Sequence, residues 1–257
     1  MIAATGDLQN VDERKWLLEK AVETAKIEEF GSDNSFPPSS KEFKTVRYVQ
    51  GNVHDFAWFA DKRWHVLVGE VELPHSGRRV ETWSFFTDYE ADLWKNSLEY
   101  LKDGTYYYSL WNGDYPYNHV TAVEGALTAG GGMEYPTITI IGWSGSAFSL
   151  EEVIVHEVGH NWFYGILGTN ERENSWMDEG VNTANEIRYF ENKYPERKMM
   201  GERAEQGLMK AFGLGYQLNK EKYELLYAFG GTVNTDQACQ VHAGEYTSMN
   251  YGSYCLL

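Results

Sequence analysis

The chain has two cysteines in 257 residues, Cys239 and Cys255. That number excludes a disulfide framework, and neither cysteine has metal-ligand spacing. Whether the two pair or stay as free thiols is left open. Basic residues are scarce, at 22 Lys and Arg against 38 Asp and Glu, for a formal charge of −16. Such an excess of acid argues against nucleic acid as a partner. No apolar run approaches the roughly 18 residues that a membrane-spanning helix needs. The opening MIAATGDLQN lacks the basic start and apolar stretch of a secretory signal. Localisation is therefore open; a soluble chain from an exported or periplasmic parent is one expectation. Internal repeats and low-complexity tracts are also missing.

Aromatic residues are plentiful. They make up 15% of the chain, with nine Trp and eighteen Tyr. That is the composition of a packed globular protein, and it argues against disorder. The stretch VDERKWLLEKAVETAKIEEF (11–30) predicts an amphipathic helix. GSDNSFPPSS (31–40) reads as a loop. TVRYVQ (45–50) reads as a strand, and HVLVGEVEL (65–73) with RRVETWSFF (78–86) flank the turn PHSG as a hairpin. Thr87 and Glu90 form a possible capping box that opens a helix to about Lys102. YNHVTAV (117–123) and TITII (137–141) are strand-like, the second starting after Pro136 in the manner of an edge strand. This order reads as α+β.

The chemistry centres on HEVGH at 156–160. A helix turns once in 3.6 residues, so His156 and His160 share a face and can bind one Zn²⁺. Glu157, beside the first histidine, is placed as general base for a metal-activated water. Ser149 and Glu152 predict a capping box, with the helix running from Leu150 to about Tyr164. A catalytic zinc keeps three protein ligands and one open position. Glu179, eighteen residues beyond His160 in WMDEG, is the best third ligand. It begins a second predicted helix from Asp178 to about Lys193. Glu179, Asn182, Thr183 and Glu186 share one face of that helix, so Asn182 or Glu186 can orient a ligand histidine. His54, in NVHDFAW, has no metal-spaced partner and reads as a core or junction histidine. His65, His75, His119 and His242 carry no specific signal.

The run HEVGHNWFYGILGTNERENSWMDEG, with GGMEY at 131–135, resembles the gluzincin metallopeptidases of the aminopeptidase N type. The resemblance covers about residues 50–257. It implies a thermolysin-like zincin catalytic domain, with one zinc ion on His156, His160 and Glu179. It implies that Glu134 binds the free α-amino group of a peptide substrate, within a motif that also holds Gly131, Gly132 and Met133. Tyr135 stands where the family has Asn. Tyr251 is the candidate for the family's oxyanion-stabilising tyrosine, with Tyr246 as the one five residues earlier. An alternative alignment makes Tyr251 that earlier tyrosine. On this reading residues 1–60 are the end of a β-rich domain and its junction. Residues 61–257 are a catalytic domain that stops inside its helical half. The expected activity is hydrolysis of N-terminal peptide bonds. A thermolysin-like endopeptidase, and a catalytically idle fragment that binds zinc or peptide, remain open alternatives.

Overall fold

A computed structural model of the chain describes residues 1–127, 131–195, 228–235 and 237–247. The chain divides into two compact units, Met1–Gly165 and Ile166–Leu257.

The first unit is mixed α/β. Its centre is a five-stranded sheet in the order β5-β6-β7-β9-β8. Before it come β1 (Ile2–Ala4), β2 (Asp7–Leu8), α1 (Val11–Thr24), β3 (Tyr48–Val49) and β4 (Trp58–Ala60). Two small antiparallel ladders join β1 to β4 and β2 to β3. The predicted hairpin is present as β5 (His65–Glu72) and β6 (Arg79–Phe86), paired antiparallel throughout. β7 (His119–Glu124) runs parallel to β6, and β9 (Ile138–Ile141) runs parallel to β7. β8 (Gly132–Tyr135) closes the sheet, antiparallel to β9.

Two-residue alternation gives β6 two apolar or buried faces. Trp83 and Phe85 join Leu17 and Ala21 of α1, Trp64, Val66, Val123 and Ile138 in one core. Ser84 points the other way and shares a 2.6 Å hydrogen bond with Ser97 of α3 (Ser97–Asn112). A strand covered on both sides loses the polar alternation of a surface strand, as RVETWSFF shows. Each large apolar side chain buried in this core contributes about 1.5–3 kcal/mol relative to exposure. On α1, Leu17, Ala21 and Thr24 are the buried residues, at the i, i+4, i+7 spacing of one helical stripe.

Three local expectations change. The helix expected from Thr87 does not start there. Thr87 Oγ1 accepts only a local turn bond, from the Tyr89 N–H at 3.2 Å. Glu90 accepts from the N–H groups of Ser144 (3.1 Å) and Gly145 (2.8 Å), so a distant loop takes up the carboxylate. The segment becomes a single turn, α2 (Ala91–Trp94), followed by α3 running to Asn112. TVRYVQ contributes only the two residues of β3. TITII is not an edge strand: β9 lies between β7 and β8, and the edge is the GMEY strand itself. Pro136 sits in the turn joining β8 to β9, where no ladder bond is asked of it.

In the second unit, a short wide turn at Trp176–Gly180 leads into α5 (Val181–Lys193), close to the predicted helix. Among the described residues, no helix is long and apolar enough to cross a membrane.

Candidate metal centre

HEVGH lies on α4 (Ala147–Gly159) and its C-cap, His160. The helix starts at Ala147, three residues before the expected Leu150. Gly145 turns the chain at φ +70°, and Ser146 then takes an extended conformation. The Ser146 hydroxyl accepts from the Ser149 N–H at 3.1 Å, satisfying one of the orphan donors of the first turn. Leu150, Ile154 and Val158 are fully buried one turn apart, and this stripe fixes the helix's rotation. Gly104 of α3 faces this helix, and a Cβ there would stand 3.5 Å from Val155 Cγ2, an ordinary van der Waals contact.

The rotation sends His156, Glu157 and His160 to one side. The Nε2 atoms of His156 and His160 are 3.1 Å apart. Two nitrogens held about 2.0–2.1 Å from one tetrahedral zinc stand about 3.3 Å apart, so the pair is close to ligand spacing. His160 Nδ1 is 3.2 Å from the Phe163 carbonyl oxygen. A carbonyl only accepts, so Nδ1 carries the proton and Nε2 keeps its lone pair for a metal. That contact depends on an early end to the helix. Phe163 (φ −93°, ψ 107°) and Tyr164 (φ 96°, ψ −61°) leave helical space, where the sequence had suggested helix to Tyr164.

Glu134, on the edge strand β8, joins the same group. One ligand atom from each of Glu134, Glu157 and His160 lies within 4.8 Å of the others. β8 approaches α4 closely because residue 132 has no side chain. A Cβ at Gly132 would stand 2.6 Å from both Cγ and Oε1 of Glu157. Among the described residues nothing lies near a Cβ at Gly131 (φ +68°), and Met133 is exposed on the strand. Alternation carries Tyr135 to the far face, where it packs on Phe59 and the core around α1.

Two residues that the sequence pattern passed over belong here. Asn161 follows the second histidine and is buried; its Oδ1 accepts from the Thr137 N–H at 3.2 Å and its Nδ2 donates to the Val158 carbonyl at 3.0 Å. Its place directly after HEVGH was the available signal. His54 is exposed rather than a core residue, and its ring meets Tyr164 edge-on at 4.0 Å. The two border a narrow cleft with Glu134 and His160. Behind the helix end, Trp162 Nε1 donates to the Gly113 carbonyl at 2.8 Å, and its ring packs on Tyr108 and Tyr115.

In the second unit, Glu179 lies in the Trp176–Gly180 turn and is half-buried. Asn182, Thr183 and Glu186 are buried on α5. Tyr246 is held by two hydrogen bonds: its hydroxyl accepts from Ser175 Oγ at 2.7 Å and donates to the Cys239 carbonyl at 3.3 Å. Tyr251 and Cys255 lie outside the described residues.

No protein-family model matches the chain, and no curated protein sequence matches it. Solved structures do. An M1 zinc metallopeptidase mutant from Deinococcus radiodurans is similar at 14% identity and a TM-score of 0.53, over 94% of this chain and 44% of that one. A two-domain M1 zinc metallopeptidase mutant bound to L-tryptophan is similar at 13% identity and a TM-score of 0.52, over 97% and 46%. The same kind of protein bound to L-arginine gives 16% identity and a TM-score of 0.50, over 76% and 38%. This chain spans less than half the length of each. The likeness at these identities is one of fold.

Proposed function

We propose that this chain carries the metal centre of a zinc-dependent aminopeptidase. The observation that supports the reading best is a single constellation in the first unit. Two histidine Nε2 atoms stand 3.1 Å apart on α4, and Glu157 and Glu134 cluster with His160. His156 and His160 would hold Zn²⁺, and Glu179, at the spacing read from the sequence, would be the third ligand. When bound, the ion lowers the pKa of a water molecule and polarises the scissile carbonyl. Glu157 takes the proton of the attacking water and passes it to the departing amine. Glu134 holds the substrate's ammonium by a charge-assisted hydrogen bond. Met133 and its neighbours on the edge strand would lie alongside an extended peptide. Tyr251 is retained as the group supporting the oxyanion. The fold likeness to M1 zinc metallopeptidases is consistent with this assignment.

The test is turnover of amino-acid anilides by the 257-residue chain, with and without a chelator. Chelator-sensitive release of the anilide is expected. Glu157→Gln should retain zinc and lose at least about a hundredfold in kcat, as expected for removal of a general base. Cleavage of N-blocked peptides in preference to free ones would point to an endopeptidase instead. Zinc binding with no turnover would mark an idle fragment.

A further inference from the structure

The turn between β8 and β9 contains a conformation that its residue type avoids. Thr137 has φ +68°, in the left-handed region where a β-branched side chain is strained by about 1–3 kcal/mol. It is fully buried and held from three directions. Its N–H donates to Asn161 Oδ1 at 3.2 Å, and its hydroxyl accepts from the Gly6 N–H at 2.9 Å. Its carbonyl accepts from the Thr121 N–H at 2.9 Å. Two of these bonds anchor the turn to the sheet and the N-terminal segment. The third ties it to the residue after His160.

We propose that Asn161 is a positioning residue that sets the spacing between Glu134 and the catalytic face of α4. The inference rests on the aminopeptidase reading of Glu134. β8 is an edge strand with only four paired positions, Gly132↔Ile141 to Tyr135↔Ile138, so its own ladder holds it weakly. Glu134 sits three residues from the Thr137 N–H. A carboxamide suits the task because it offers an acceptor and donors on one rigid plane. The donor end binds the Val158 carbonyl in α4, which fixes the acceptor end toward the turn. The Tyr115 hydroxyl, 3.5 Å from the same Oδ1, backs it from the sheet side. The amide therefore links the zinc helix to the strand that carries the amine-binding carboxylate.

The experiment uses the whole, zinc-loaded chain with Asn161→Leu, and Asn161→Ser as a gentler second variant. Both remove the two amide contacts. KM for a free amino-acid anilide should rise about tenfold or more while kcat falls less than threefold. Zinc affinity, measured by chelator competition, should stay within threefold. Asn161→Asp keeps an acceptor for Thr137 but loses the donor to the Val158 carbonyl, so it breaks the link to α4 and should recover at most part of the KM loss. Amide hydrogen exchange supplies a readout independent of turnover: exchange at Thr137 should quicken at least tenfold in the Leu and Ser variants, with α4 unchanged. A folded variant with unchanged KM and unchanged exchange would overturn the proposal. So would a loss confined to zinc affinity and kcat. If the unsubstituted chain shows no zinc-dependent cleavage, the aminopeptidase reading fails, and the exchange measurement still decides whether Asn161 holds the strand.

Discussion

Gly132→Ala is the sharpest probe of the centre. The added Cβ would lie 2.6 Å from Glu157 Cγ and Oε1, and 2.7 Å from Cδ. Non-bonded carbons settle at about 3.5–4.0 Å, so the contact must open by about 1 Å. Glu157 is only 6% exposed and cannot swing into solvent. Its Cγ is involved as well as the carboxylate, so a rotation of the tip alone does not clear the clash. Either Glu157 shifts or the edge strand moves out, taking Glu134 with it. A displacement of about 1 Å in a reacting group costs on the order of a hundredfold in rate, or about 2.7 kcal/mol of transition-state stabilisation. The assay is kcat/KM on an amino-acid anilide, with zinc content and Tm measured alongside. Gly131→Ala is the control. Among the described residues nothing lies within 4 Å of its Cβ position, so it strains only the backbone at φ +68°, by about 1–2 kcal/mol, and should lower Tm more than kcat. A folded, zinc-loaded Gly132→Ala protein within threefold of wild-type kcat/KM would refute the reasoning.

Glu134→Gln should raise KM for free amino-acid anilides by roughly 10- to 100-fold, the value of a hydrogen bond to a charged group; rates on N-acetylated substrates should barely change. Glu124 gives a pH test. Burial pushes its carboxyl above the ordinary range, with the nearby Glu90 adding to the shift and the Thr87 N–H opposing it. The folded state therefore binds the proton more tightly than the unfolded chain. This stabilisation is complete below the unfolded pKa, about 4.3, and is lost as pH rises through the folded value. Glu124→Gln removes the buried charge and keeps an acceptor for Thr87, so its Tm at pH 7 should exceed wild type by on the order of 2 °C. The gap should close toward pH 4, and thermal melts across that range would show a constant gap if the argument is wrong.

Much of the first unit was legible because its signals are local. The β5–β6 hairpin follows from alternation around PHSG, and α1 from the Leu17–Ala21–Thr24 stripe. The helix carrying HEVGH follows from a periodic apolar face. The errors arose where a distant partner competed with a local pattern. Glu90 looked like the second half of a capping box, but the loop at Ser144 and Gly145 claims it. Ser149 looked like an N-cap, yet it donates its N–H to the true cap, Ser146. TITII looked like an edge because of Pro136, whereas strand order depends on pairings between segments far apart in the chain.

The same division holds at the candidate metal centre. The sequence by itself determined that two histidines four residues apart share a helical face beside a glutamate, because helical periodicity is a property of the chain alone. It also marked Glu179 by its spacing from that helix, while Glu134 was marked through the resemblance carried by GGMEY. Only the tertiary structure decided that GMEY is the exposed edge, that Gly132 must lack a side chain to leave room for Glu157, and that Asn161 joins α4 to Thr137. Those are contacts between segments brought together by packing, and no periodicity within one segment encodes the distance to another.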